Sequence, residues 1–339
     1  MEKKKVTIHD IAKRLNIDSS TVSRALSGSP RVKEQTKKSV LALALELGYQ
    51  PNIMASNLRK KKSNTIGVVV PRISRHFFAS VIAAVDEVTH QAGYNVIICQ
   101  SLDELEREKK LINTLLTNQV DGVLISISME SIDVEHLRQL ESNGIPLVLF
   151  DRGHDSLQVD KVVIDDVNAS FSATEHLIKS GCKRIVHFSG PQEISIYKDR
   201  LAGYKKALSK YDISLDESLI LTSRLMSEDG EECAIQILEM AEMPDGIFSA
   251  NDNAAIGAMK HLISFGVKIP EDMAIVGFSN EPISSAMEPS LTTIDQPGYE
   301  IGKKASEIIL QQIESKSVSG NNQTIVVDAD LLIRKSSMK

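Results

Sequence analysis

The chain has 339 residues, 42% of them hydrophobic, and carries 39 Lys and Arg against 45 Asp and Glu for a net charge of −6. That length exceeds one ordinary domain and suits a small head joined to one or two α/β lobes. No apolar run reaches the ~18 residues of a membrane span, and Met1 leads through Glu2 and three lysines straight into a helical pattern, so no secretory signal is expected.

The charge is unevenly placed. Residues 1–62 hold 14 Lys and Arg against 5 Asp and Glu, a net +9, so residues 63–339 carry −15. A basic head can meet phosphate, and an acidic body avoids it. Cys99, Cys182 and Cys233 are far apart and lack metal-ligand spacing. They read as buried free thiols in a reducing cytosol, and neither a metal nor another cofactor is expected.

The head, residues 1–50, reads as three helices. Thr7 is a good N-cap, and Asp10 can complete a capping box. Ile8, Ile11, Ala12 and Leu15 recur at helical spacing. Asn16 can end this helix, Ile17 anchors the turn, and Asp18 caps a second helix with Val22, Ala25 and Leu26 on its inner face. Ser19, Ser20, Ser23 and Arg24 form the outer face, short polar groups around one guanidinium able to bind guanine bidentately. After Gly28 and Pro30 a third helix, Lys33 to Leu47, is expected to pack through Val40, Leu41, Ala44 and Leu47, with Gly48 as its stop. Residues 51–64 form a hinge and linker. Pro51–Lys62 is a marginal helix candidate ending in Arg59, Lys60, Lys61 and Lys62. Leu58 beside the small Ala55 fits a leucine wedged into a minor groove.

Residues 6–62 resemble the DNA-binding head and hinge helix of the lactose repressor family of transcriptional regulators. Thr21-Val22-Ser23-Arg24 and Gly48-Tyr49-Gln50-Pro51-Asn52 carry the match. The resemblance implies DNA contacts from Thr7, Ser19, Ser20, Thr21, Ser23, Arg24, Asn52, Ala55, Leu58 and Arg59. In that family the hinge helix folds only on operator DNA and its leucine opens a central base step; Leu58 and Ala55 fall on those positions. Ser19 and Ser20 fall on the family's main specificity positions.

From Thr65 the pattern becomes strand–helix alternation. Strands are predicted at Ile66–Val70, Val96–Cys99, Gly122–Ile125 and Leu147–Phe150, then at Arg184–Ser189, Gly246–Ser249 and Met273–Phe278. Helices are predicted over 77–91, 104–118, 134–142, 168–180, 202–211, 230–240 and 253–265. Gly93, Gly144, Gly181 and Gly266 each close a helix before a strand. This punctuation argues two doubly wound parallel-sheet lobes. The body, 65–339, resembles the sugar-binding fold shared by the lactose repressor family and the periplasmic binding proteins, in which the chain crosses three times between lobes. Here the crossings are expected near Ile164–Asp165, Thr293–Asp295 and Gln323–Thr324. Lobe 1 would then be 65–164 with 296–322, and lobe 2 would be 165–293 with 323–335. Matches include His76-Phe77-Phe78, Phe150-Asp151-Arg152, Arg200-Leu201-Ala202-Gly203, Ala250-Asn251-Asp252 and Pro289 through Pro297.

Ligands of open α/β sheets sit at strand carboxyl ends. By resemblance, Phe78 would be an apolar wall, and Ser126, Asp151, Arg152, Arg200, Asn251 and Ser279 would face an effector, Arg200 as a charged fork. The alternative reading makes Asp151 and Arg200 members of structural ion pairs. Ser279-Asn280 stands where many relatives place Asp first, which leaves the cleft more positive and admits a sugar acid or sugar phosphate besides a neutral sugar. Leu225-Met226 stands where some relatives carry an aromatic platform. No dinucleotide, phosphate-loop or nucleophile-elbow fingerprint is present. The expectation is a cytoplasmic, homodimeric repressor, not an enzyme, which binds a pseudo-palindromic operator and whose affinity a small sugar-like effector switches. The alternative is a sugar-binding module without DNA-binding activity, which the basic hinge argues against. The chain shows no leucine-heptad tail, so a tetramerisation helix is not expected.

Overall fold

A computed structural model describes residues 6–49, 62–316 and 322–339. The expected hinge helix, with Asn52, Ala55, Leu58 and Arg59, lies outside the described residues. Contacts divide the chain into two compact units at Lys61 and Lys62, described separately below.

The head consists of α1 (Ile8–Leu15), α2 (Ser19–Leu26) and α3 (Glu34–Glu46). The Asp10 carboxylate accepts from the Thr7 N–H at 2.8 Å and the Thr7 hydroxyl at 2.7 Å, fixing the first turn. Asn16 ends α1 in the left-handed region at φ 51°, a conformation that short polar Asn tolerates. Ile11, Ala12, Val22, Ala25, Val32, Val40 and Ala44 form the buried centre, with Leu15, Ile17, Leu26, Leu43 and Leu47 packed around it. Two expectations are corrected. Leu41 is 53% exposed, because the stripe that faces inward is Val40, Leu43, Ala44 and Leu47, an i, i+3, i+4, i+7 set. Asp18 stands at the N-cap of α2 but its side chain makes no capping hydrogen bond; its carbonyl receives the Thr21 and Val22 N–H groups instead.

The body holds twelve described strands. β1 (Thr65–Val70), β2 (Asn95–Gln100), β3 (Gly122–Ile125), β4 (Leu147–Phe150), β5 (Asp160–Ile164) and β11 (Thr324–Val327) build the first sheet. β6 (Ile185–Ser189), β7 (Ile220–Thr222), β8 (Gly246–Ser249), β9 (Ala274–Phe278), β10 (Thr292–Asp295) and β12 (Asp330–Leu332) build the second. The orders are β11-β5-β4-β3-β1-β2 and β12-β10-β9-β8-β6-β7. Every pairing is parallel except β12 on β10. The central strands are continuous apolar runs buried on both faces, as parallel strands covered by helices require.

Helices α4 (His76–Gln91), α5 (Leu105–Thr117) and α6 (Glu135–Ser142) follow strands of the first sheet. In the second lobe come α7 (Asp166–Lys179), α8 (Ser195–Lys210), α9 (Ser227–Leu238), α10 (Asp252–Ser264) and the short α11 (Pro282–Ala286). Then α12 (Gly298–Ser315) returns to pack on α4 of the first. Gly93, Gly144, Gly181 and Gly266 all take positive φ, as their place after a helix requires. The α9–α10 contact depends on two further glycines. A Cβ on Gly230 would lie 2.0 Å from the Ala254 carbonyl oxygen, and one on Gly257 would lie 2.0 Å from that of Ser227.

The chain leaves the first lobe after Ile164 and returns after Asp295, close to expectation. The third crossing is corrected. β11 pairs with β5 from Thr324–Lys161 to Val327–Ile164, so residues 324–327 complete the first sheet. The chain reaches the second sheet with β12, and the crossing is Asp328-Ala329 rather than Gln323–Thr324. The β-branched run Thr324-Ile325-Val326-Val327 suits a sheet edge, whereas the sequence before it has no partner to show which sheet it joins. α8 begins at Ser195, seven residues before the expected Ala202; its first turns bury Ile196, Tyr197 and Arg200.

Candidate functional site

On the head, α2 exposes Ser20 and Arg24, and half-buries Ser19, Thr21 and Ser23. Among the described residues the Arg24 guanidinium has no hydrogen-bond or ion-pair partner, so its donors remain available to a base edge or phosphate. Ser19 is less free: its hydroxyl lies 3.0 Å from His9 Nδ1 on α1. That link, which helical periodicity alone does not show, ties the start of α2 to α1. Thr7 is exposed at the N-terminus of α1, where free N–H groups favour a phosphate.

In the body the strand carboxyl ends converge on a cleft between the lobes. The turns there are unusual: Leu102 and Asp103 after β2, Asp151 after β4, Leu225 after β7, and Ser279 and Asn280 after β9 all have positive φ. Non-glycine residues held this way cluster where surrounding structure over-determines them, often at functional sites. The cleft cavity, of about 50 Å³, is lined by Pro71, Arg72, Arg75, Phe78, Asp103, Met129, Arg152, Tyr197, Arg224, Met226 and Asn251.

Of the seven expected effector residues, Phe78, Arg152 and Asn251 line this cavity. Phe78 is buried edge-on to Phe77 and Phe150, with ring centroids 5.0 and 6.4 Å away. Arg152 is 5% exposed and donates from Nη1 to Asp103 at 2.5 Å and to the Ile127 carbonyl at 3.2 Å. Its Nε is buried without a hydrogen bond, with the Asp151 carboxylate 4.0 Å away. Asn251 caps α10, accepting from Ala254 N at 2.9 Å while Nδ2 donates to the Leu225 carbonyl at 2.9 Å.

The other four lie behind the lining. Arg200 is 2% exposed; Nε donates to Asp166 at 2.7 Å, Nη1 donates to the Ala250 carbonyl at 2.7 Å, and the guanidinium lies 3.6 Å from the Phe278 ring centroid. Burial pushes the Asp166 carboxyl up to about 7, against the pull of Arg200. Asp151 accepts from Ser126 Oγ at 3.2 Å and Gln296 Nε2 at 3.3 Å, and burial raises its pKa. Ser279 Oγ donates to Gln296 Oε1 at 2.8 Å. Gln296 therefore connects Asp151 of the first lobe to Ser279 of the second.

Sequence reasoning missed most of the cavity's charge. Arg72 lies 3.5 Å from Asp103. Arg75 reaches across the cleft to the Met226 sulfur at 3.5 Å, and Arg224 pairs across it with Glu130 at 3.7 Å. The Glu281 carboxylate accepts from His76 N at 3.3 Å, also between lobes. The usable signal was position: Pro71-Arg72 follows β1 and Ser223-Arg224 follows β7, both at strand carboxyl ends.

The family model described as "Periplasmic binding proteins and sugar binding domain of LacI family" matches residues 63–335. A second, "Bacterial regulatory proteins, lacI family", matches residues 7–52. This chain belongs to the lacI family of bacterial regulatory proteins. Catabolite control protein A of Priestia megaterium is 33% identical over 317 residues, covering 93% of this chain and 95% of that protein. The transcriptional repressor CytR of Escherichia coli is 33% identical over 333 residues, covering 98% and 96%. Among solved structures, a Lac repressor dimer bound to operator and an anti-inducer superposes with a TM-score of 0.85 at 26% identity, covering 99% and 100%. A CelR–cellobiose complex gives 0.74 at 26% identity, covering 98% and 100%. As a lacI-family member, the chain is a DNA-binding transcriptional regulator with a helix-turn-helix head and a two-lobed effector domain of the periplasmic-binding type. No described helix is long and apolar enough to cross a membrane.

Proposed function

We propose that this regulator acts as a homodimer that represses carbohydrate-utilisation genes and that a small effector bound between the lobes sets its operator affinity. The observation that carries the reading is the pairing, in one chain, of an exposed α2 with an unpartnered Arg24 and a polar cleft lined from both lobes. The relatives bear names of regulators and repressors rather than enzymes, which supports a non-enzymatic role. Closing or opening the cleft breaks or makes the contacts of Arg75 with Met226, Arg224 with Glu130 and His76 with Glu281. An effector therefore has differential contacts with two states, the requirement for coupling. Arg200 and Asp151 serve the effector by holding the lining groups in place, with Arg152, Asn251 and Phe78 in contact. The test is selection of binding sites from random duplex DNA with the full chain. A two-fold symmetric motif is expected, with its preference relaxed at one base pair of each half-site by Arg24→Ala; absence of enrichment would leave the sugar-binding alternative.

A further inference from the structure

Four arginines line the cavity, Arg72, Arg75, Arg152 and Arg224, against one carboxylate, Asp103. The other acids that act on them, Asp151 on Arg152, Glu130 on Arg224 and Glu281 on Arg75, are not part of the lining. Asp103 is shared by Arg152 at 2.5 Å and Arg72 at 3.5 Å. Burial would raise its pKa, yet Arg152 holds it below the usual range. Arg224 is exposed and has Glu130 outside the cavity. Arg75 differs. Its side-chain partner is a thioether sulfur, a weak acceptor, and Glu281, the acid that acts on it most strongly, is committed to His76 N. Burial lowers the pKa of Arg75, as expected of a desolvated cation without a bonded counter-ion.

The polar lining also favours donors over acceptors. Asn251 uses both ends of its amide within the protein, and Asp103 is occupied by two guanidinium groups. Arg152 Nε is buried, makes no hydrogen bond and has the Asp151 carboxylate only at ion-pair range, 4.0 Å. Tyr197 is 3% exposed, lies on the cavity, and its hydroxyl makes no hydrogen bond to a described residue. A neutral sugar presents hydroxyls that both donate and accept, and this lining offers them few free acceptors. An oxyanion accepts only, and arginine forks match its geometry.

We infer that the effector is anionic, a sugar phosphate or sugar acid whose oxyanion is held by Arg75 with Arg72 and Arg152, while Phe78, Met129 and Met226 cover its carbon skeleton. The inference rests on the cleft being the effector site. It differs from the expectation drawn on Arg200, which is already engaged by Asp166 and Ala250.

The test uses the full chain and inorganic phosphate as the probe. Calorimetric titration and thermal melting are run in phosphate and in chloride at equal ionic strength, with Arg75→Gln and Arg72→Gln as variants. Each variant's unliganded melt shows that it folds. Phosphate is expected to raise the melting temperature of the wild-type chain by a few degrees beyond chloride, and each substitution is expected to weaken phosphate binding at least tenfold. Equal shifts in the two salts, or phosphate binding that both variants retain, overturns the inference. A second arm compares glucose 6-phosphate with glucose, and galacturonate with galactose, by operator release. Release by a phosphate or acid but not its parent supports the inference and names the source of the oxyanion. Release by the neutral parent alone overturns it and leaves the regulator reading intact.

Discussion

Replacing Arg200 separates a structural arginine from a purely ligand-binding one. Its guanidinium is buried against Asp166 at 2.7 Å, the Ala250 carbonyl at 2.7 Å and the Phe278 ring at 3.6 Å. Arg200→Ala strands the Asp166 carboxylate, which is 6% exposed, without its cation. Breaking one partner of a buried pair costs about 3–5 kcal/mol, and loss of the cation–π contact adds up to about 2. Asp166→Asn keeps the shape and an acceptor for Nε, and should cost less. The double substitution removes both charges, so its cost should fall below the sum of the single costs by about 1–3 kcal/mol. The assay is urea unfolding of all four proteins followed by circular dichroism at 222 nm, since the chain has no tryptophan to report. A loss below about 1 kcal/mol for Arg200→Ala, with additive effects in the double variant, would refute the structural reading and return Arg200 to a role felt only by the effector.

Three further outcomes are expected. Arg24→Ala should weaken binding to a selected operator by about 1–3 kcal/mol and relax preference at one base pair; fluorescence anisotropy with operator variants measures both. Gly230→Ala should destabilise the body by about 1–3 kcal/mol or more, because its Cβ would meet the Ala254 carbonyl oxygen at 2.0 Å; Gly230→Ala at wild-type stability in urea would mean that α9 and α10 shift apart freely. Burial pushes the Asp252 carboxyl up to about 7 even though Thr293 Oγ1 and Glu281 N donate to it at 2.7 Å each. The native state thus binds a proton that the unfolded state, at about 3.9, releases. Stability from this group is complete below about pH 4 and is lost as pH rises through about 7. Between pH 5 and pH 8 wild-type stability should fall by about 1–3 kcal/mol relative to Asp252→Asn, and parallel pH profiles for the two would contradict the assignment.

The head was legible because helix periodicity, capping residues and glycine stops act locally. Leu41 was read as the inner residue two positions before Leu43, which packs inward, on a helix where leucine alternates with alanine, so composition gave no preference between faces. In the body, buried parallel strands are short apolar runs, and those with strong punctuation were found within a residue or two. β5, β7, β10, β11 and β12 were not: β7, β11 and β12 are short, largely unburied edge strands recognisable mainly by their partners, and the interior strands β5 and β10 carry polar residues such as Asp160, Lys161, Thr292 and Thr293 in place of an apolar run. The third crossing depended on such a partner. The cleft was legible where a motif marked it, at Phe78, Arg152 and Asn251. Arg72, Arg75, Asp103, Tyr197 and Arg224 lie outside the matched motifs, and their meeting depends on two lobes assembled from three chain crossings. Arg200 shows the converse: its motif was recognised, but the Asp166 that binds it is 34 residues away in sequence and its pairing is a property of packed helices α7 and α8.

The central claim is that one free energy links the cleft to the head. The direct measurement is operator affinity by anisotropy at fixed salt, with and without a ligand that raises the melting temperature of the body, and the affinity of that ligand with and without operator. The account predicts that ligand shifts operator affinity by about 5–150-fold and that operator shifts ligand affinity by the same factor. A ligand that occupies and stabilises the cleft while leaving operator affinity unchanged would contradict it.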